Sequence, residues 1–118
     1  MVKINLPSSV GDFMDRLSIL EIKRDKGLDV LTELTGFKEI QVLFDQRGFD
    51  YYMKIIKSIN ECLWELEDIK RTGVARYSDD YSDVSTLITQ LNDLRHQTKK
   101  RIDEYFNSEF TEKKSHKD

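Results

Sequence analysis

Apolar residues recur every three or four positions along most of this chain, the period of one helix face. In "SVGDFMDRLSILEIKRDKG", Val10, Phe13, Leu17 and Leu20 fall on one stripe. Ser9 followed by Asp12 resembles a capping box with a shortened acid, Pro7 bars a helix upstream, and Gly27 is a suitable stop. The first helix is therefore expected over about 9–26, behind a weakly alternating arm, "VKINL", in residues 1–8. A second is expected over about 29–47, from apolar residues at 31, 34, 40, 43 and 44, with a break at Gly36 and a close at Gly48. The third spans about 49–72 and carries Phe49, Tyr52, Ile56, Ile59, Leu63 and Leu66 on one face. After the loop "GVARYSDDYS", the fourth spans about 82–106, with Val84, Leu87, Ile88, Leu91, Leu94, Thr98, Ile102 and Tyr105. Residues 107–118 read as a polar tail, loose at its end.

These elements predict a single all-α domain. The last two helices, on the order of 35 Å long each, should form an antiparallel hairpin with the N-terminal helix packed on it, a three- to four-helix bundle. Two such long helices in a small chain leave apolar surface to cover, so a homodimer is expected.

Composition narrows the function classes. The 118 residues are 35% charged and 38% apolar, with one proline and five glycines, which suits helices joined by short connections. A net charge of -3 argues against duplex nucleic acid as the main partner. Cys62 is the one cysteine, read as a half-buried thiol, so an intramolecular disulfide and a cysteine-based zinc site are both excluded. His96 and His116 stand far apart in sequence, and neither a metal nor a cofactor is expected. The N-terminus lacks the apolar run of a signal peptide, and no window approaches a membrane span, so a cytoplasmic location is expected.

The informative residues are polar ones that project inward. With Leu63 at the centre of the third helix face, Glu67 lies about 40° away and Asn60 about 60°. Trp64 and Arg71 share that flank, so Asn60, Trp64, Glu67 and Arg71 form one line. On the fourth helix Arg95 lies about 40° from Leu91, flanked by Asn92 and Lys99. Glu21 falls within the stripe of the first helix. An isolated buried charge costs several kcal/mol, so these groups must pair or reach water. One reading is a salt-bridge network with Arg95 between Glu21 and Glu67. The other is a ligand cleft. There Arg71 and Lys99, helped by Arg16 or Lys23, accept a phosphate, Trp64 stacks on a ring, and the two glutamates orient the cations or bond ribose hydroxyls.

Other patterns carry less. Glu61, Glu65 and Asp68 form a carboxylate stripe of the kind magnesium uses with substrate phosphates. A solvated face balanced by Lys57 explains it more simply, with Lys54 and Lys57 beside it on the outer side. "NDLRHQTKKRI" interleaves no aromatic and reads as helix surface, and "EKKSHK" as a solvated tail. No Gly-rich phosphate loop is present.

The ordered segments "SVGDFMDRLSILEIK", "LWELED" with Arg71, "NDLR" with "KKRI", and "NSEFTEKKS" resemble a family of short proteins that carries a domain-of-unknown-function label, found in T-even-type phages and in bacteria, some near surface-polysaccharide genes. The resemblance covers both ends and the hairpin and is poor from Leu28 to Tyr52. Its pattern falls on Gly11, Asp15, Glu21 and Lys23, then Trp64, Glu67, Asp68 and Arg71, then Asn92, Asp93, Arg95 and Lys99, and ends on Glu112, Lys114 and Ser115. The sequence departs at Ile69, where a second acid is usual, at Asp103 for Asn, and at His116 for an aromatic. The first departure weakens a metal role for the acidic segment. The resemblance implies a phage or bacterial accessory protein and no particular activity.

Together these readings give a leading expectation. It is non-enzymatic binding of a small phosphorylated ligand such as a nucleotide, for instance a counter-defence protein sequestering a nucleotide signal in the host cytoplasm. The binding residues would be Glu21, Lys23, Trp64, Glu67, Arg71, Asn92, Arg95 and Lys99. The alternatives are an adaptor for a host or virion protein and a magnesium-dependent nucleotide pyrophosphatase.

Overall fold

The computed structural model describes residues 9–72 and 80–115, with side chains described as far as Thr72 and from Ser82 to Phe106. The expected arm over 1–8, residues 73–79 of the loop and His116 lie outside the described residues. Within them the chain forms four helices and no strand, an all-α bundle: α1 (Val10–Asp25), α2 (Leu31–Gln41), α3 (Gln46–Thr72) and α4 (Asp80–Ser115).

Local chemistry explains the boundaries. The Ser9 hydroxyl accepts the Asp12 N–H at 3.2 Å and starts α1. At its other end Gly27 takes φ 86, and the N–H groups of Gly27 and Leu28 return to the carbonyls of Arg24 and Lys23. This double return is the Schellman closure, and it needs a residue that tolerates positive φ. The expected break at Gly36 does not occur. One glycine costs a helix only about 1 kcal/mol, and Leu34, Phe37 and Ile40 hold α2 on the core. The expected close at Gly48 is also corrected. Asp45 carries a carboxylate that accepts the Gly48 N–H at 3.2 Å, so Gly48 belongs to the first turn of α3. In α4, the helix continues through the stretch read as a polar tail, to Ser115.

The hairpin is antiparallel: Phe49 near the start of α3 meets Phe106 of α4, ring centroids 6.5 Å apart. α1 lies across its open end, and α2 folds over α1, with Phe37 stacked on Phe13 at 4.9 Å. Met14, Leu17, Phe49, Ile56, Ile102 and Phe106 are sealed in this part of the core. Each contributes about 1.5–3 kcal/mol by leaving water. α1 reaches the hairpin closely at Gly11, where a Cβ would stand 2.5 Å from the Lys99 carbonyl oxygen. The Asp103 carboxylate accepts the Gly11 N–H at 2.7 Å, satisfying a donor that the helix start leaves unpaired.

Beyond the reach of α1 the hairpin is only two helices thick. Ile59, Leu63, Val84 and Ile88 form a second, smaller core there. Ile69, Leu87 and Leu94 remain exposed, and so does Cys62, which corrects the expectation of a half-buried thiol. No described helix is long and apolar enough to cross a membrane.

Candidate functional site

Three polar residues of α1 and α3 meet where the two cores join. Gly11, Asp15, Ser18 and Ile22 are spaced four, three and four apart and are all buried, forming the α1 face toward the hairpin. Asp15 is 4% exposed. One of its carboxylate oxygens accepts from the Asn60 amide at 2.9 Å and from Arg95 Nε at 2.8 Å. The other accepts from Arg95 Nη2 at 2.6 Å. Asn60 also donates to the Ser18 hydroxyl at 2.8 Å, which donates to the Asp15 carbonyl at 2.7 Å. This network satisfies the buried carboxylate and ties α1 to both hairpin helices. The hydrogen bonds and charge of Asp15 raise the Arg95 pKa against the opposing effect of burial.

Beside the network a pocket of about 290 Å³ opens between the helices, lined by Ile19, Asn60, Leu63, Trp64, Glu67, Arg71, Asn92 and Arg95. That is near the lower end of ligand-pocket sizes, which begin at roughly 300 Å³. Two of its lining residues each keep a polar atom with no described hydrogen bond. Asn60 is 5% exposed, and both its described hydrogen bonds leave from the amide nitrogen, so its carbonyl oxygen accepts none among the described residues. Arg95 spends Nε and Nη2 on Asp15, and its Nη1 makes no hydrogen bond among the described residues. The side chain of Arg95 keeps 30% of its surface open. Trp64 supplies an aromatic wall and carries the Lys26 ammonium 5.5 Å from its ring centre. Arg71 and Glu67 are exposed, and Arg71 is paired with Asp68.

The structure therefore gathers Trp64, Glu67, Arg71, Asn92 and Arg95 of the expected residues and leaves out Glu21, Lys23 and Lys99. Lys99 pairs with Asp12 at 2.6 Å, and that bond keeps the Asp12 carboxyl below its ordinary range. Lys23 is half-buried away from the pocket. Glu21, with 12% of its side chain exposed, binds Lys38 at 2.7 Å and Lys57 at 3.2 Å. Burial pushes the Glu21 carboxyl up, but the two lysines outweigh it and the net shift is downward.

The expected convergence of Glu21, Glu67 and Arg95 is thus corrected. Angular projection ignores height along a helix. Glu21 lies six residues beyond Asp15, about 9 Å at 1.5 Å per residue. It stands level with Lys57, while Arg95 stands level with Asp15. Lys57, expected on the outer side, carries its charge inward to Glu21 along its long stem. Asp15 was missed as the central acid. Its signal was the small and polar line of Gly11, Asp15 and Ser18 opposite the apolar stripe.

The acidic stripe does not gather: Glu61 and Glu65 edge a separate recess with Asp25 and Lys26, and Asp68 pairs with Arg71. Among the described residues no three His, Cys, Asp or Glu side chains stand together as a metal group. Comparison of the chain with protein-family models, curated proteins and solved structures gave no match.

Proposed function

We propose that the chain binds, without a chemical step, a small phosphate-bearing ligand with a planar ring, of which a nucleotide is the natural form. One observation carries this reading. Asp15 clamps Arg95 along one edge through Nε and Nη2, and Arg95 lines a pocket that also offers the Trp64 ring. A guanidinium held in this way is pre-organised for an anionic oxygen, and an indole suits a base or sugar ring. Asn92 adds an amide, and the Asn60 carbonyl and Glu67 carboxylate accept from hydroxyls. The resemblance to phage proteins supplies a setting: a counter-defence protein that sequesters a nucleotide signal in the host cytoplasm. A thermal-shift panel of mono-, di- and cyclic nucleotides tests the reading. A raised melting temperature for at least one, lost in Asn92→Leu, is expected. A folded protein that no nucleotide shifts would count against it.

A second reading, pairing with another copy of the chain, is favoured by the bare end of the hairpin. Cys62, Leu66 and Ile69 on α3, and Leu87, Leu91 and Leu94 on α4, line one apolar groove at helix-seam spacing. Light scattering after size exclusion should then give twice the 14.0 kDa chain mass, and Leu91→Glu should halve it.

A further inference from the structure

The pocket's charges say which nucleotides fit it. Its lining holds two guanidinium groups, Arg71 and Arg95, and one carboxylate, Glu67. Behind the lining each guanidinium already has its own carboxylate, Asp68 for Arg71 and Asp15 for Arg95. In and directly behind the lining, the two guanidinium charges are therefore outnumbered by three carboxylates. Lys26, 5.5 Å from the Trp64 ring centre, edges a separate recess with Glu61 and Glu65, so the cation it adds comes with two further carboxylates. A site with no surplus cation cannot repay the desolvation of a multiply charged phosphate chain. It can still hold a single negative charge, through the open Nη1 of Arg95 and the Asn92 amide. The two acceptors, the Asn60 carbonyl and Glu67, ask for hydrogen-bond donors close to that charge.

Resting on the reading above, we infer that the pocket selects nucleotides whose phosphate is a singly charged diester next to a free ribose hydroxyl, and disfavours mono- and polyphosphate esters. A 3′,5′-cyclic mononucleotide has this form. Its one phosphate charge meets Arg95, its 2′-hydroxyl donates to Asn60 or Glu67, and its base lies on Trp64. A nucleoside 5′-monophosphate brings close to two charges at neutral pH, since its second ionisation falls near pH 6. A triphosphate brings more.

Calorimetry of the intact chain without added metal tests this, using the cyclic 3′,5′-monophosphate, 5′-monophosphate and 5′-triphosphate of each common base. The expected order is cyclic tightest and triphosphate weakest, with roughly tenfold or more between the extremes, equivalent to about 1.4 kcal/mol. Glu67→Gln and Asp68→Asn, both at exposed positions, should narrow that gap by strengthening triphosphate binding. Triphosphate binding as tight as cyclic in the unaltered chain would overturn the charge selection and leave nucleotide binding standing. If no member of any series binds, both readings fall. A gap that neither variant narrows assigns the selection to pocket shape and overturns the charge argument.

Discussion

Asp15 on α1 accepts two hydrogen bonds from Arg95 on α4, from Nε at 2.8 Å and from Nη2 at 2.6 Å, and is itself sealed from solvent. The pair is unequal, because Arg95 reaches the pocket and Asp15 does not. Arg95→Met strands a buried carboxylate with only Asn60 left as a side-chain donor, at a cost of about 3–5 kcal/mol. Asp15→Asn leaves a guanidinium that water can reach, so the loss should be smaller, about 1–3 kcal/mol. Urea denaturation of both variants and the double variant measures the asymmetry. Equal losses would mean that the carboxylate is not sealed.

Gly11 and Gly36 should respond to alanine in opposite directions. At Gly11 the new methyl meets the backbone oxygen of Lys99 at 2.5 Å, which no rotamer relieves. The helices must separate, and Gly11→Ala should cost about 1–3 kcal/mol. At Gly36 the methyl meets nothing within 4 Å, so Gly36→Ala should stabilise the protein by roughly 0.5–1 kcal/mol through helix propensity alone. Thermal denaturation that leaves Gly11→Ala as stable as the parent would contradict the close contact of α1 with α4, and a destabilised Gly36→Ala would contradict the open surface at α2.

The ion pairs of α1 contribute to the acid limb of stability. Burial raises the Glu21 carboxyl pKa, but Lys38 and Lys57 bring it below its ordinary value, and the bond from Lys99 lowers that of Asp12. A carboxyl lowered in the folded state adds stability above its unfolded pKa and loses it as pH falls through the folded one. Stability should therefore be level near neutrality and drop below about pH 4 to 4.5, the ordinary carboxyl range. Glu21→Gln should lower the neutral plateau and flatten the acid drop. Denaturation midpoints across pH 2 to 7 follow both, and an unchanged acid limb in Glu21→Gln would show that its lysine pairs add nothing.

The sequence made the architecture legible because three of the four helices carry their signals locally. Ser9 and Gly27 bound α1, and the 3.6 period of α3 and α4 needs no tertiary knowledge. The hairpin side of the pocket was legible for the same reason: Trp64, Glu67, Arg71, Asn92 and Arg95 lie on the flanks their angles predict. The α1 side was not. That helix is buried on two faces, one against α2 and one against the hairpin, so an apolar stripe names only one of them. Asp15 sits on the other, and only the height of each residue along its helix decides that Arg95 meets it and not Glu21. At Gly48 the α2 boundary is illegible because a glycine resembles a helix end, whereas the informative residue is the capping Asp45.

Trp64 is the chain's one tryptophan and lines the proposed site, so its fluorescence reports on that pocket. Titration of the intact chain with 3′,5′-cyclic mononucleotides should give a saturable change in Trp64 emission that Asn92→Leu weakens at least tenfold, about 1.4 kcal/mol. Binding detected by calorimetry with no change in this emission would mean that nucleotides bind elsewhere, and no binding by either method would remove the proposed function altogether.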